Sequence, residues 1–378
     1  MVGANIVAYD CALSEELSLT GAMTAMVLGF GAAPPQKIEK DLAVYAIHRH
    51  GVGPLLWSAV RTGTLVASSE ARTLLQESHQ KTAFTQARVQ LFLKQISVRL
   101  DEARIPWMVL KGWPQARQLY PDPVWRPSGD IDLLVDPRDY QRAVLLFEGL
   151  GFVSTDVPAG DGLLRKVLLP LFRDVTLAGS KMAPLRIELH QRPLYSTGRL
   201  SKACRLTVDP KGGPFPAPAL GADLGFYLFV HGALCRWARL KWLNDWALLL
   251  AKIDDGEKEK MAATCAAVRV EASFAASLVL LREIFPAVPL GSLAQWLASY
   301  DGAEKVKRRL ANYVRTLNLR DTRNATPMDG GVISFSCKLL FHEAFWDRVR
   351  LAVLAPGASL LRRGTKKRAT ARRSSADR

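Results

Sequence analysis

The run 126–135, Arg-Pro-Ser-Gly-Asp-Ile-Asp-Leu-Leu-Val, constrains this chain more than any other stretch. Side chains alternate across a β-strand, so Asp130 and Asp132 share one face while Ile131, Leu133 and Val135 point to the other. The apolar set demands a core. The paired acids resist joint ionisation unless positive charge sits beside them, and a divalent cation is the usual answer. An Asp-x-Asp also arises by chance on half-exposed strand edges, so the reading needs support elsewhere in the chain.

Support comes from both sides. Upstream, the apolar run 105–110 reads as a buried strand and ends in Lys111-Gly112, where glycine lets backbone approach a ligand and lysine offers a charge to phosphates. A helix over 114–120 and a Pro-rich turn then lead into the acidic strand. Downstream, Ala143, Leu146, Phe147 and Leu150 fall at helical spacing within 138–150, with Gly149 and Gly151 as the stop. Extended structure restarts at Phe152-Val153, and strands are expected over 172–177 and 185–189. In the last of these, Glu188 and His190 share a face opposite Ile187 and Leu189. If that strand neighbours the Asp130 strand, Asp130, Asp132 and Glu188 converge into a site able to hold two Mg²⁺ ions against nucleotide phosphates. His190 is read as orienting Glu188 or touching substrate in preference to binding metal.

The remainder is helical in period. Residues 37–100 carry apolar faces broken at 51–54, with one long helix over 70–102, and no chemistry shows there. His48, His50 and His79 lack acidic or sulfur partners at metal-site spacing and read as surface or capping residues. Residues 195–220, rich in Pro and Gly, are expected as loop. Helices follow over 226–234, 240–253, 258–268, 274–285, 293–300, 303–317 and 332–354. The domains are therefore a helical N-terminal segment (1–103), a small mixed-sheet α/β core (104–195), a helical domain (196–361) and a basic tail (362–378), an α+β chain overall.

The formal charge is +16, but residues 362–378 are about half Lys and Arg, so the body is only moderately basic, as suits a protein that handles phosphates. The five cysteines are scattered, without a CxxC pair, which points away from a disulfide framework or zinc site and toward a reducing, cytoplasmic setting. The apolar run 17–33 follows Glu15 and Glu16 and contains three glycines, so it reads as a packed helix and not as a signal or membrane span.

Several of these segments carry a resemblance. Val109-Leu110-Lys111-Gly112, Leu119-Tyr120-Pro121, Arg126-Pro127 with Gly129-Asp130-Ile131-Asp132-Leu133-Leu134-Val135, then Glu188-Leu189-His190, His231-Gly232-Ala233 and Leu240–Asp245 together resemble the uncharacterised nucleotidyltransferase family of the DNA polymerase-β-like superfamily. The likeness runs from about residue 43 to 253. It implies a nucleotidyltransferase core in which Asp130 and Asp132 bind metal and Glu188 supplies a third carboxylate. Where the wider superfamily has Gly-Ser, this chain has Gly112-Trp113, so the triphosphate falls to Lys111, with Gly112, Arg126 and Gly129 beside it. The third acid is Glu where Asp is common, and Cys235 stands where relatives often carry a second His.

Two readings remain for His231, Arg239 and Asp245: contacts to nucleotide or acceptor, or a His-Asp bond and basic face that fix the helical domain. For Trp237, Trp242 and Trp246, core packing outweighs a base-stacking platform. The expected activity is transfer of a nucleoside monophosphate from an NTP, ATP foremost, to a small molecule, peptide or protein, with release of pyrophosphate. A nucleic-acid acceptor is less favoured, because no nucleic-acid-binding module accompanies the core. The alternative is a non-catalytic binding or toxin-antitoxin-type protein on the same fold.

Overall fold

The computed structural model describes residues 12–31, 37–155, 173–179, 185–194, 199–211 and 213–319. The expected helix over 332–354, the basic tail and Phe172 at the start of one expected strand lie outside the described residues. The chain divides into two compact units, one of which includes Thr85–Gln115 and Ser128–Ala219, the other Ala116–Pro127 and the helices beyond Leu220. The architecture is α+β, with a mixed sheet in the first of these and a helical C-terminal half in the other.

Among the described residues the sheet unit has five strands: β1 (Trp107–Val109), β2 (Ile131–Val135), β3 (Val153–Ser154), β4 (Asp174–Ala178) and β5 (Arg186–His190). Their spatial order is β1-β2-β5-β4-β3. β2 and β5 run parallel, with Asp132 opposite Glu188 and Leu134 opposite His190. The other pairings are antiparallel, and Asp174 of β4 faces His190. One sheet face is apolar, as the period-two pattern requires. Ile131, Leu133 and Val135 join Val175, Leu177, Ile187 and Leu189 in one core.

Two helices supply the other half of that core. Helix α4 (Ser69–Glu102), reached after the elements described below, offers Val89, Leu93, Ile96 and Leu100 at alternating three- and four-residue spacing. Tyr140, Ala143, Val144 and Phe147 do the same from α6 (Tyr140–Gly149), while α5 (Trp113–Leu119) follows β1. Each fully buried side chain of this size contributes about 1.5–3 kcal/mol. At the sheet edge the β1 amide of Val109 donates to the Pro216 carbonyl (2.9 Å), so the edge is covered. The expected loop over 195–220 also holds a short helix, α7 (Arg199–Ala203), and a bridge between Val208 and Pro218. Buried Leu200 and Cys204 anchor that helix, a tertiary effect that a Pro- and Gly-rich composition hides.

In the helical unit, α1 (Glu15–Val27) buries Leu17, Met23 and Ala25 and is capped by Ser14, whose hydroxyl accepts from the Leu17 amide. Helix α2 (Lys40–Val44) runs into a widened turn (Tyr45–His50) that ends at Gly51, whose φ of 68° suits a glycine. Helix α3 (Gly53–Arg61) then starts with Pro54 in its first turn. The rest are α8 (Ala222–Leu234), α9 (Leu240–Lys252), α10 (Asp255–Ala267), α11 (Glu271–Ile284), α12 (Ser292–Ser299) and α13 (Ala303–Leu317). No helix among the described residues is long and apolar enough to cross a membrane.

A single glycine shapes the α8–α9 corner. A Cβ on Gly232 would lie 2.1 Å from the Trp237 ring, so only glycine lets that indole fold back against α8. Trp237 stacks on Trp246 (5.3 Å between centroids) and donates from Nε1 to Ser277 Oγ (2.8 Å). Both indoles are core, as expected. The basic stretch after Cys235 interrupts the helix, with Arg236 and Trp237 at positive φ. His50 is buried and not at the surface, and it caps α9 by accepting the Leu240 amide at Nδ1 (3.3 Å).

Candidate active site

The polar face of the sheet carries the site. Asp132 is the second residue of β2 and has no solvent exposure, since β5 flanks the strand on one side and β1 on the other. Its Oδ1 receives Lys111 Nζ at 3.1 Å and meets His190 Nε2 at 3.1 Å. Its Oδ2 is buried and has no hydrogen-bond partner among the described residues. Glu188 splits its oxygens. Oε1 accepts from the Arg186 guanidinium (2.9 Å), and Oε2 lies 4.0 Å from His190 Nε2. One donor atom each from Asp132, Glu188 and His190 lies within 4.8 Å of the others, a buried group that can hold a metal ion.

The charges here do not cancel. Burial opposes ionisation of Asp132, but Lys111 and His190 outweigh it and hold the carboxyl well below the usual range. Glu188 has the reverse fate: burial, then Asp132 and Asp130, push it up to about 7, with Lys111 pulling the other way. Burial and then the Arg173 cation push the His190 imidazole down, against Asp132 and Asp174, so the ring is neutral at pH 7. Its contact with Asp132 is therefore a hydrogen bond and not an ion pair. A group that forces one acid to stay protonated near neutrality lacks positive charge, which a dication would supply.

Asp130 lies just before β2, half-buried, and its charge reaches Glu188. The tight group thus takes His190 where sequence reading placed Asp130, while Asp130 sits nearer solvent. Lys111, Ser128 and Asp130 line a pocket together with Gln86, Val109 and Trp113. Gly112 has φ 98°, and a Cβ there would meet Ser128 Oγ at 3.3 Å. The turn after β1 needs glycine for both reasons, and the Leu110 amide ties it to the Asp132 carbonyl (2.9 Å). Gly129 has open space around it, so a ligand can approach its backbone.

Other expected site residues go elsewhere. Arg126 and Asp245, both in the helical unit, form a bidentate pair at 2.8–2.9 Å, and Tyr120 donates its hydroxyl to Asp245 at 2.8 Å. Burial, then the Asp245 charge, raise the Tyr120 phenol well above its ordinary range, so it is always the donor. Arg126 is the partner that Asp245 takes in the structure, where the sequence had offered His231. His231 packs its ring on Tyr227 and against the edge of Trp242. Arg239 is the half-buried residue ahead of α9. Lys241 donates to the Pro127 carbonyl (3.1 Å).

Sequence reading missed Arg186, Arg173 and Asp174. Arg173 pairs with Asp174 at 3.2 Å, and Asp174 faces His190 across the ladder. The only local signal was the Arg-x-Glu-x-His alternation of β5; for β4 the register had to be seen.

A family model described as "uncharacterised nucleotidyltransferase" matches residues 36–286, which include all five strands and the helices from α2 to α11. No curated protein matches the chain. With two thirds of its length in that match and two acids paired across adjacent strands, the chain belongs to the uncharacterised nucleotidyltransferase family.

Proposed function

We propose that this protein transfers a nucleoside monophosphate from an NTP, with ATP the leading candidate, to a hydroxyl, amine or phosphate acceptor on a small molecule, peptide or protein. Asp130, Asp132 and Glu188 would hold two Mg²⁺ ions. Bound dications there would neutralise the triphosphate and polarise the attacking and leaving oxygens. The acceptor atom attacks the α-phosphorus, the bond to the β-phosphate oxygen breaks, pyrophosphate leaves, and Glu188 takes the acceptor's proton. Lys111 exchanges its contact with Asp132 for the triphosphate. The observation that carries the reading is Asp132: a fully buried carboxylate with one unpartnered oxygen, opposite Glu188 in the β2–β5 ladder. A reducing, cytoplasmic setting fits Cys204, Cys235 and Cys265, all buried free thiols.

The test is to incubate the full chain with each α-labelled NTP and Mg²⁺ and to follow label into protein, RNA and extracted metabolites. Label above background that disappears in Asp130→Ala and Asp132→Asn supports the assignment. Equal labelling by the variants overturns it.

A further inference from the structure

We propose that His190 is a nitrogen ligand of the inner ion, so that the buried position selects a first-row transition dication such as Mn²⁺ over Mg²⁺. This rests on the reading of the site as metal-binding, but concerns which residues bind and which ion they choose. His190 Nε2 stands 3.1 Å from Asp132 Oδ1 and 4.0 Å from Glu188 Oε2. Donors about 2.1 Å from one ion lie about 3.0 Å apart when at right angles and about 4.2 Å apart when opposed, so both separations fit a shared ion once the proton that Nε2 gives to Asp132 in the metal-free ring sits on Nδ1 instead.

Each neighbouring contact leaves the right atom available. Arg186 occupies Glu188 Oε1, which leaves Oε2 on the His190 side. Asp132 keeps Oδ2 buried and without a partner among the described residues, an arrangement costly in a dry interior unless an ion takes it. Nδ1 of His190 is likewise buried and without a partner among the described residues, and Asp174 faces His190 across the β4–β5 pairing.

The choice of ion follows from donor type and room. Mg²⁺ prefers an all-oxygen octahedron and keeps several waters, whereas Asp132, Glu188 and His190 are each at most 2 % exposed. Imidazole nitrogen raises affinity along the first-row series. Asp130, half-buried at the head of β2, remains beside Asp132 for the Mg²⁺ that accompanies a triphosphate.

Pulsed EPR of the full chain loaded with Mn²⁺, without nucleotide, tests this directly. The expected result is ¹⁴N modulation from one imidazole, converted to the ¹⁵N pattern by histidine labelling and absent in His190→Gln. Mg²⁺ should displace Mn²⁺ only at an excess of about 50-fold or more, falling to a few-fold in His190→Gln. Failure to bind Mn²⁺, bound Mn²⁺ without nitrogen coupling, or the same displacement ratio in the variant overturns the proposal. If His190→Gln does not fold, the isotope shift in the wild-type protein decides alone. A nitrogen-coupled ion in a protein that transfers no nucleotide would uphold this assignment while sinking the transferase reading.

Discussion

Two buried ionic clusters among the described residues are built on opposite principles. In the helical unit, Arg126 meets both oxygens of Asp245 and Tyr120 supplies a further donor, so the carboxylate has four hydrogen bonds and a full countercharge. In the sheet unit, Asp132 shares one oxygen between Lys111 and His190 while the other has no partner among the described residues, and Glu188 is pushed up to about 7. A closed cluster has its charges and hydrogen bonds met within the fold; an open one can take a further ligand. The contrast matters because the sequence placed Arg126 beside the nucleotide and left Asp245 open between a substrate contact and a structural bond.

The largest effect should separate the clusters by activity. Asp132→Asn is expected to lower nucleotidyl transfer by about 10³-fold or more, about 4 kcal/mol in the barrier, with metal-free stability changed by about 1–2 kcal/mol because lost Lys111 pairing and relieved Glu188 repulsion offset each other. Transfer assays beside urea denaturation would show it. Asp245→Ala should do the reverse, costing about 3–5 kcal/mol of stability by stranding the buried Arg126 charge. A variant that unfolds at the wild-type urea midpoint would break the comparison.

Next comes pH. Glu188 pushed up to about 7 keeps its proton in the fold while the unfolded chain loses it near the ordinary glutamate value, so metal-free stability falls as pH rises between those points. The wild type should lose about 2–3 kcal/mol more than Glu188→Gln between pH 4.5 and 8, measured by denaturation at each pH. Asp132, held low, acts oppositely and only in more acidic solution, where stability is lost as it protonates. Adding a dication at pH 8 should restore about 2.7 kcal/mol at a hundredfold excess over its dissociation constant, seen as a raised Tm in the wild type and not in Asp132→Asn. No Tm change in the wild type would mean that the open cluster holds no ion. The smallest effect is expected at Lys241, where Lys241→Met removes the bond to the Pro127 carbonyl and costs about 1 kcal/mol.

Much of the sheet was legible because alternation is a local property. Ile131, Leu133 and Val135 announce a buried face without reference to anything distant, and so do Ile187 and Leu189. The long helix over 69–102 announces itself the same way. The helix at 199–203 did not, since Leu200 and Cys204 find their burial only in the assembled unit. Nor could spacing reveal that Gly232 exists for Trp237, because the clash it avoids is a contact made through a turn at positive φ.

The sequence by itself determined that Asp130 and Asp132 share a strand face, that Glu188 and His190 share another, and that Lys111-Gly112 ends a buried strand. Only the tertiary structure decided the partners: that Asp132 lies opposite Glu188, that His190 enters the buried group while Asp130 stays nearer solvent, and that Asp245 closes on Arg126. The reason is physical. Side-chain direction follows from backbone geometry one residue at a time, whereas pairing, burial and the cancellation of charge depend on which distant segments the core brings side by side.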